Sequence, residues 1–149
     1  MDNELNIRTV APTDFAQWEP LWIGYNSFYE RTLPNEITLM TWSRFFDAYE
    51  PVFAMVAERN EKLIGLVHYL FHRNTTMIEP TCYLQDLFTS DESRGQGIGR
   101  ALIEAVYEKA KAQGLSRVYW QTHESNSVAM KLYDKVAVRS GFVQYRKQL

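Results

Sequence analysis

The sequence predicts a mixed α/β fold, with a sheet and helices in layers and some antiparallel hairpins. Three observations lead to this prediction. Apolar and polar residues alternate in several short stretches, as they do in half-buried strands. In other stretches apolar residues recur at helical spacing, most clearly after the glycine-rich turn at 94–99. The two kinds of stretch follow one another in the order β-α-α-β-β-β-α-β-α-β.

The first half of the chain predicts one strand, two helices and a hairpin. Alternation over 5–9 indicates the strand, and helical spacing over 18–29 indicates the first helix. Pro20 must either kink this helix or lie in its first turn. A shorter helical pattern covers 39–46. The period then changes to two over 53–71, with a turn at Asn60 and Glu61, which predicts a hairpin.

The second half predicts a strand, a helix and a second strand. The strand runs from about Thr81 to Thr89. The helix keeps its apolar residues on one face from Ile98 to Ala110, and Gly114 can close it in the left-handed conformation. Val118 and Trp120 mark the next strand.

The C-terminal region predicts a last helix and a last strand. Asn126 can cap the helix, whose inner face runs from Ala129 to Val136. A final strand is predicted from Phe142 to Tyr145.

Composition predicts one soluble globular domain spanning residues 1–149. The apolar fraction is 46% and the charged fraction 23%, close to the averages for such proteins. No apolar run approaches the ~20 residues needed to span a bilayer, and the N-terminus lacks the features of a signal peptide, so we expect no membrane partner and a cytoplasmic location. The single cysteine, Cys82, cannot form an internal disulfide.

Charge is unevenly distributed along the chain. Residues 1–93 carry 6 Lys and Arg against 14 Asp and Glu, a net of -8, whereas residues 94–149 carry 10 against 4, a net of +6. A basic half suits an anionic cofactor and an acidic half a cationic substrate, although the two halves can equally neutralise each other in the fold. The slightly acidic chain has no basic stripe, which argues against nucleic-acid binding.

The turn from Arg94 to Gly99 has the composition of a phosphate cradle. Glycines let the backbone approach a bulky anion, and the following helix adds its partly positive N-terminus. Alone the motif is weak, because such glycines often form only a tight turn. The turn does not match the dinucleotide-binding fingerprint, because Arg100 stands where that motif needs its third glycine. It does not match a P-loop either, because Gly-Lys-Ser/Thr is absent.

The context of the turn resembles a known family. The motif residues are Leu84-Gln85-Asp86-Leu87-Phe88-Thr89, then Glu92 to Leu102, Asn126, and Ala129-Met130-Lys131-Leu132-Tyr133. In order and spacing they resemble the GNAT superfamily of acetyl-CoA-dependent N-acetyltransferases over about the last two thirds of the chain. Leu21-Trp22, Phe28-Tyr29-Glu30 and Glu124-Ser125-Asn126 are similar to its histone/polyamine acetyltransferase subgroup.

This resemblance implies the acyl-CoA N-acyltransferase fold, with a mostly antiparallel central sheet flanked by helices. It implies acetyl-CoA as co-substrate and direct attack by a primary amine in a ternary complex, the acceptor being a polyamine, a lysine-like small molecule or a protein lysine. Members usually have a bulge in the strand before the turn, which directs an N–H at the thioester carbonyl. The implied cofactor-binding residues are Leu87, Phe88, Thr89, Arg94, Gly95, Gln96, Gly97, Ile98, Gly99, Arg100 and Asn126.

Tyr133 matches the tyrosine that superfamily members use as general acid toward the leaving thiolate. The alternative is a core tyrosine, since Tyr133 also belongs to an apolar helical stripe.

The general base is less clearly indicated. Resembling diamine acetyltransferases have a glutamate where this chain has Gln85, and an amide cannot accept the proton. Asp86 is the nearest carboxylate and our candidate, but strand alternation turns it to the opposite face unless a bulge intervenes. Glu92, the pair His123 and Glu124, or a water chain are alternatives.

Aromatic residues of the first helix are candidates for the acceptor site. Tyr25, Phe28 and Tyr29 are the better placed, and Gln85 is a further candidate for contact with the substrate. No metal site is predicted, because His68 and His72 would lie ~13 Å apart along a strand.

The C-terminus departs from the family pattern. Members usually have a glycine soon after the acid tyrosine, whereas Val136-Ala137-Val138 follow here, so the helix end is expected to shift toward Ser140 and Gly141. We expect a homodimer in which the C-terminal strands take part. Two alternative hypotheses are a non-catalytic or regulatory acyl-CoA-binding module, suggested by Gln85, and a protein-interaction domain without a cofactor.

Overall fold

The computed structural model describes residues 3–149, and within them it has a sheet of five strands and four α-helices. In chain order the elements are β1 (Asn6–Thr9), α1 (Phe15–Phe28), α2 (Asn35–Arg44), β2 (Val52–Arg59), β3 (Lys62–His72), β4 (Thr81–Thr89), α3 (Ile98–Ala112), β5 (Val118–Tyr119) and α4 (Ser127–Val136).

The strands lie side by side in chain order, and the first four pair antiparallel. β5 runs parallel to β4. The turn between β2 and β3 has positive φ at both central residues, 53° at Asn60 and 62° at Glu61, which is the geometry that a tight hairpin requires. The predicted mixed fold, with a mostly antiparallel sheet and flanking helices, is confirmed.

Alternation along β2 and β3 gives the sheet two apolar faces. On one face Val56 and Leu66 pack with α1 and with the aromatic end of α2. On the other face Met55 and Val67 pack with α3, and α4 adds side chains at its edge. The helices that flank the sheet are therefore divided between its two faces, with α1 and α2 on one and α3 and α4 on the other.

Two predictions about helix ends concern the C-terminus of α3 and the place of Pro20 in α1. α3 ends at Ala112, and Gly114 follows with a φ of 78°, as predicted for a left-handed closing residue. In α1, Pro20 lies inside the helix, beyond the first turn. Its missing N–H removes one helical hydrogen bond, the one to the carbonyl of Ala16.

Two predictions for the C-terminal region are wrong. α4 ends at Val136, without a shift toward Ser140 and Gly141. The Tyr107 hydroxyl donates to the Val136 carbonyl at 2.8 Å, which satisfies that helix end without a glycine. The strand predicted at 142–145 is absent from the described chain.

The missing strand has a physical reason. Phe142, Val143 and Tyr145 are all exposed, so neither face of the segment packs on the core. Alternating apolar residues form a stable strand only where a neighbouring strand and an apolar layer receive them. The segment nevertheless runs close to the chain after β5, because Gln144 Nε2 donates to Gln121 Oε1 at 2.5 Å.

No helix within residues 3–149 has the length and apolar character needed to cross a membrane.

Candidate active site

A bulge in β4 decides which side chains face α1. His68 of β3 pairs with Asp86, whereas the next residue, Tyr69, pairs with Leu84, so Gln85 is the extra residue. As a result Leu84 and Leu87 both pack on the α3 side. Asp86 lies opposite His68 on the α1 side, and the Gln85 side chain is exposed.

The outer edge of β4 is open along most of its length. β5 pairs with β4 only at Cys82 and Tyr83, and the chain then continues as coil. The Ser90 N–H donates to the Ile64 carbonyl of β3. Because backbone groups alternate along an antiparallel strand, those of Leu87 and Thr89 turn away from β3 toward this open edge.

Phe88, the third residue predicted to contact the cofactor on this strand, is oriented differently. The same alternation turns its backbone toward β3, where its carbonyl lies 3.1 Å from the position that a Cβ on Gly65 would take. The Phe88 ring packs toward α1. The open edge is therefore formed by the backbone of Leu87 and Thr89 and not by that of Phe88.

The glycine-rich turn lies between the end of β4 and α3. Gly95 and Gly97 have φ values of 76° and 79°, and a Cβ at either would meet nothing within 4 Å. The first α3 hydrogen bond runs from Ala101 to the Gly97 carbonyl, so the N–H groups of Ile98, Gly99 and Arg100 precede the helical ladder. The turn is thus an open concavity with helix N–H groups at its base.

Two arginine side chains lie beside this turn. Arg94 contacts Asp91 at 3.0 Å, and its guanidinium lies 5.9 Å and 5.7 Å from the ring centroids of Phe28 and Phe88. Arg59 Nη1 donates to Gln96 Oε1 at 2.6 Å. The sequence did not point to Arg59, because only the return of the hairpin brings the end of β2 to this turn.

Tyr133 lies in α4 and packs against the core on the α3 side of the sheet. Its ring is half-buried against Trp120, with the centroids 5.5 Å apart, so it also contributes to packing as the core alternative expects. Burial, with a smaller effect from Tyr29, raises the Tyr133 pKa to about 12. The hydroxyl therefore holds its proton at neutral pH.

Asn126 lies at the N-terminus of α4 but does not cap it through its side chain. Its Nδ2 instead donates to Thr122 Oγ1 at 3.2 Å. Asn126 therefore takes the N-cap position predicted for it, but its amide makes no capping hydrogen bond.

Tyr25 of α1 and Tyr29, the residue after its end, both interact with the Asp86 carboxylate. A Cβ on Gly24 would lie 2.9 Å from Phe88 Cζ, so the absence of a side chain there lets α1 approach β4 closely. Tyr25 is buried beside Asp86, and burial first and then the Asp86 charge raise the pKa of its hydroxyl. Tyr29 and Phe28 follow toward the exposed end of the helix.

Arg31 is held beside these tyrosines by the end of α1. Glu30 has a positive φ of 56°, and the Arg31 N–H donates to the Asn26 carbonyl, which closes a Schellman motif. The Arg31 guanidinium donates to Asn26 Oδ1 at 3.1 Å and lies 5.6 Å from the ring centroid of Tyr25 and 5.0 Å from that of Tyr29. Tyr25 therefore lies between a carboxylate, Asp86, and a guanidinium, Arg31.

The other candidate bases lie away from this position. Glu92 is exposed and contacts Lys62 at 3.3 Å. β5 ends at Tyr119, so His123 and Glu124 lie in an exposed loop, where His123 Nδ1 contacts Ser125 Oγ at 2.6 Å. Among residues 3–149, no group of three or more His, Cys, Asp or Glu side chains is arranged to hold a metal ion.

The sequence did not point to His68 as a partner of Asp86, or to Trp18 as a partner of His68. His68 Nδ1 lies 2.9 Å from Asp86 Oδ2, and Trp18 Nε1 donates to His68 Nε2 at 3.1 Å. A polar residue within the apolar run of β3 was the available signal.

The chain is similar to known acetyltransferases in sequence and in fold. The Acetyltransferase (GNAT) family profile matches residues 16–137. The D-amino-acid N-acetyltransferase HPA3 of Saccharomyces cerevisiae is 33% identical over 149 residues, which cover 99% of this chain and 92% of that protein.

Two solved structures have the same fold. A probable acetyltransferase superposes with a TM-score of 0.85 at 19% identity, covering 97% of each chain. The aminoglycoside N-acetyltransferase AAC(6')-Iy in complex with CoA superposes with a TM-score of 0.82 at 18% identity, covering 98% of this chain and 96% of that one. The family profile spans most of the chain and HPA3 aligns along nearly all of it, and on these grounds the chain belongs to the Acetyltransferase (GNAT) family and is an N-acetyltransferase.

Proposed function

We propose that this N-acetyltransferase moves an acetyl group from acetyl-CoA to a primary amine by direct attack in a ternary complex. The open edge of β4 carries the proposal. The glycine-rich turn follows the end of β4, Asp86 lies on its α1 side, and Tyr133 would lie across the edge from Asp86. A polyamine, a lysine-like small molecule and a protein lysine all supply the required amine.

Acetyl-CoA would lie along this edge, from its phosphates to its thioester. The turn from Arg94 to Arg100 would hold the pyrophosphate, because the glycines leave space and the helix supplies N–H groups. The free backbone groups of Leu87 and Thr89 would pair with the amides of the pantetheine arm. The Asn126 side chain would bind a further pantetheine amide.

The residues around the edge can carry out the proton transfers of the reaction. The acceptor nitrogen bonds to the acetyl carbon while Asp86 takes the proton that the nitrogen loses. As the carbon–sulfur bond breaks, Tyr133 gives its proton to the sulfur, and both residues then exchange protons with solvent to reset the site. A backbone N–H at the β4 bulge would stabilise the negative charge that develops on the carbonyl oxygen.

Release of free thiol from acetyl-CoA tests the proposal. We expect turnover with at least one member of a panel of polyamines, amino acids, aminoglycosides and histone peptides. CoA binding without turnover on any of them would instead support the non-catalytic module, and no thermal shift with CoA would support the interaction domain.

A free amino acid is a second candidate acceptor, favoured by the two charges on either side of Tyr25. Asp86 attracts a protonated amino group, and Arg31 is suited to a carboxylate through its planar guanidinium. The name of the relative HPA3, a D-amino-acid N-acetyltransferase, is consistent with this class. Phe28 and Tyr29 would then contact the substrate side chain, and Gln85 would lie at the entrance.

The amino-acid candidate is tested by pairing each D- and L-amino acid with the amine that lacks its carboxylate. If Arg31 binds the carboxylate, kcat/KM for the amino acid exceeds that for its paired amine. Equal or higher values for the paired amines would leave the polyamine class as the better candidate.

Three further expectations belong to this proposal. Membership of the histone/polyamine subgroup would follow from turnover on those acceptors. A homodimer is supported by the exposed apolar side chains after α4, among them Val138 and Phe142. The cytoplasmic location stays a prediction, which cell fractionation can test.

A further inference from the structure

A buried chain of hydrogen bonds ends on Asp86. Trp18 Nε1 donates to His68 Nε2 at 3.1 Å, and His68 Nδ1 lies 2.9 Å from Asp86 Oδ2. Trp18 is 0% exposed and His68 is 2% exposed. The Asp86 side chain is 12% exposed, so only the end of the chain reaches the candidate site.

The direction of these bonds fixes the tautomer of His68. An indole N–H can only donate, so His68 Nε2 must accept and cannot carry a proton while the Trp18 bond is intact. The proton of the neutral ring then lies on Nδ1 and points to Asp86. Asp86 Oδ2 receives this bond, and the Tyr25 hydroxyl lies within hydrogen-bonding reach of the same carboxylate.

The packing around His68 keeps the ring in this orientation. Its centroid lies 5.9 Å from that of Trp18, 5.3 Å from that of Trp22 and 4.8 Å from that of Phe45. Such an aromatic enclosure stabilises one ring orientation and excludes water. Trp18 Nε1 and both ring nitrogens of His68 have partners, so this buried chain avoids the cost of unpaired polar groups.

We propose that His68 is a positioning residue for Asp86, locked in its Nδ1–H tautomer by the indole of Trp18. The inference rests on the proposed function, in which Asp86 accepts the proton of the amine. A misplacement of ~1 Å in a reacting group can cost about a hundredfold in rate, which is the scale of effect that such a residue can have.

Two substitutions of His68 separate positioning from packing. In His68→Asn the amide can occupy the place of Nδ1 and still donate to Asp86. In His68→Gln the amide reaches the place of Nε2 and can accept from Trp18, but the donor to Asp86 is lost. Both variants remove the ring and should lower the melting temperature similarly.

Steady-state kinetics with the best acceptor then decide the role. We expect His68→Gln to lose roughly 10 to 100-fold in kcat, with the KM for acetyl-CoA within about twofold of the unsubstituted chain. His68→Asn should retain about tenfold more kcat than His68→Gln. If the two variants lose kcat equally, in step with their loss of stability, the positioning role of His68 is overturned. The proposed function would not be affected by that result.

A spectroscopic measurement tests the tautomer without any turnover. The ring ¹⁵N resonances of His68 should show a protonated Nδ1 and an unprotonated Nε2, and Trp18→Phe should release this preference. A protonated Nε2 in the unsubstituted chain would overturn the inference. Absence of turnover on every amine, with the expected tautomer present, would overturn the proposed function and the catalytic purpose of the chain with it.

Discussion

Tyr133 shows how burial changes the acidity of a single residue. An ordinary tyrosine hydroxyl titrates near 10, and burial raises the pKa of this one to about 12. The hydroxyl is protonated at neutral pH, as an ordinary tyrosine is, and the raised pKa makes it a weaker acid. In the folded chain the group also contributes stability that is complete below pH ~10 and is lost as the pH rises toward about 12.

We expect Tyr133→Phe to lower kcat by about 10²- to 10⁴-fold, because a general acid contributes on that scale. The KM for acetyl-CoA should stay within about twofold, since the hydroxyl acts on the sulfur only in the transition state. Tyr49→Phe, at an exposed tyrosine, is the control and should leave kcat intact. An equal kcat in the Tyr133 variant and the unsubstituted chain would remove Tyr133 as the acid.

Arg31 gives a residue-level prediction about the acceptor. Arg31→Met keeps a long side chain beside Tyr25 and Tyr29 but removes the charge. We expect the KM for amino-acid acceptors to rise by about tenfold, the size of a lost hydrogen bond to a charged group, while the KM for amines without a carboxylate does not rise. Arg73→Met, at an exposed loop position, should change neither value. A similar rise for both kinds of acceptor would show that Arg31 acts on structure instead.

Among the elements, local patterns predicted the strands of the hairpin, the apolar face of α3 and its closure at Gly114. Each depends on residues that are neighbours along the chain. The position of the β4 bulge at Gln85 could not be derived in this way, because a bulge is defined by the register with β3. The wrong strand at 142–145 has the same origin, since alternation does not reveal whether another strand is available for pairing.

The two ends of α3 allow a matched test of the glycine-rich turn. Gly97 and Gly114 have nearly the same φ, 79° and 78°, and a Cβ at either would meet no atom within 4 Å. Alanine at either position should cost about 1 kcal/mol of unfolding free energy, because left-handed backbone disfavours a Cβ. Only Gly97→Ala places a methyl group where the pyrophosphate would lie.

We expect Gly97→Ala to raise the KM for acetyl-CoA by at least about tenfold and Gly114→Ala to leave it within about twofold. Chemical denaturation measures the shared stability cost, and initial rates measure the difference. If both variants bind acetyl-CoA equally well, the phosphates do not lie in this turn.

At the scale of the whole molecule, the candidate site is assembled from segments that are far apart in sequence. Trp18 and His68 are separated by 50 positions, and His68 and Asp86 by 18. The glycine turn and Tyr133 could be singled out by motif because each carries its signal locally. The partners of Asp86 became visible only once the sheet had brought α1, β3 and β4 together.

The exposed segment after α4 leads to a prediction about assembly. Phe142 and Tyr145 are 92% and 95% exposed, in a stretch rich in apolar residues that forms no strand. Pairing with the same segment of a second copy would give its backbone groups hydrogen-bond partners and cover its apolar side chains. Light scattering at micromolar concentration should therefore give the mass of a dimer. Phe142→Asp combined with Tyr145→Asp should shift the mass to that of a monomer, because burying two carboxylates in the interface is costly. Tyr49→Asp combined with Ile78→Asp, at positions 96% and 94% exposed elsewhere on the surface, should leave the dimer intact. A monomeric mass for the unsubstituted chain would contradict the prediction.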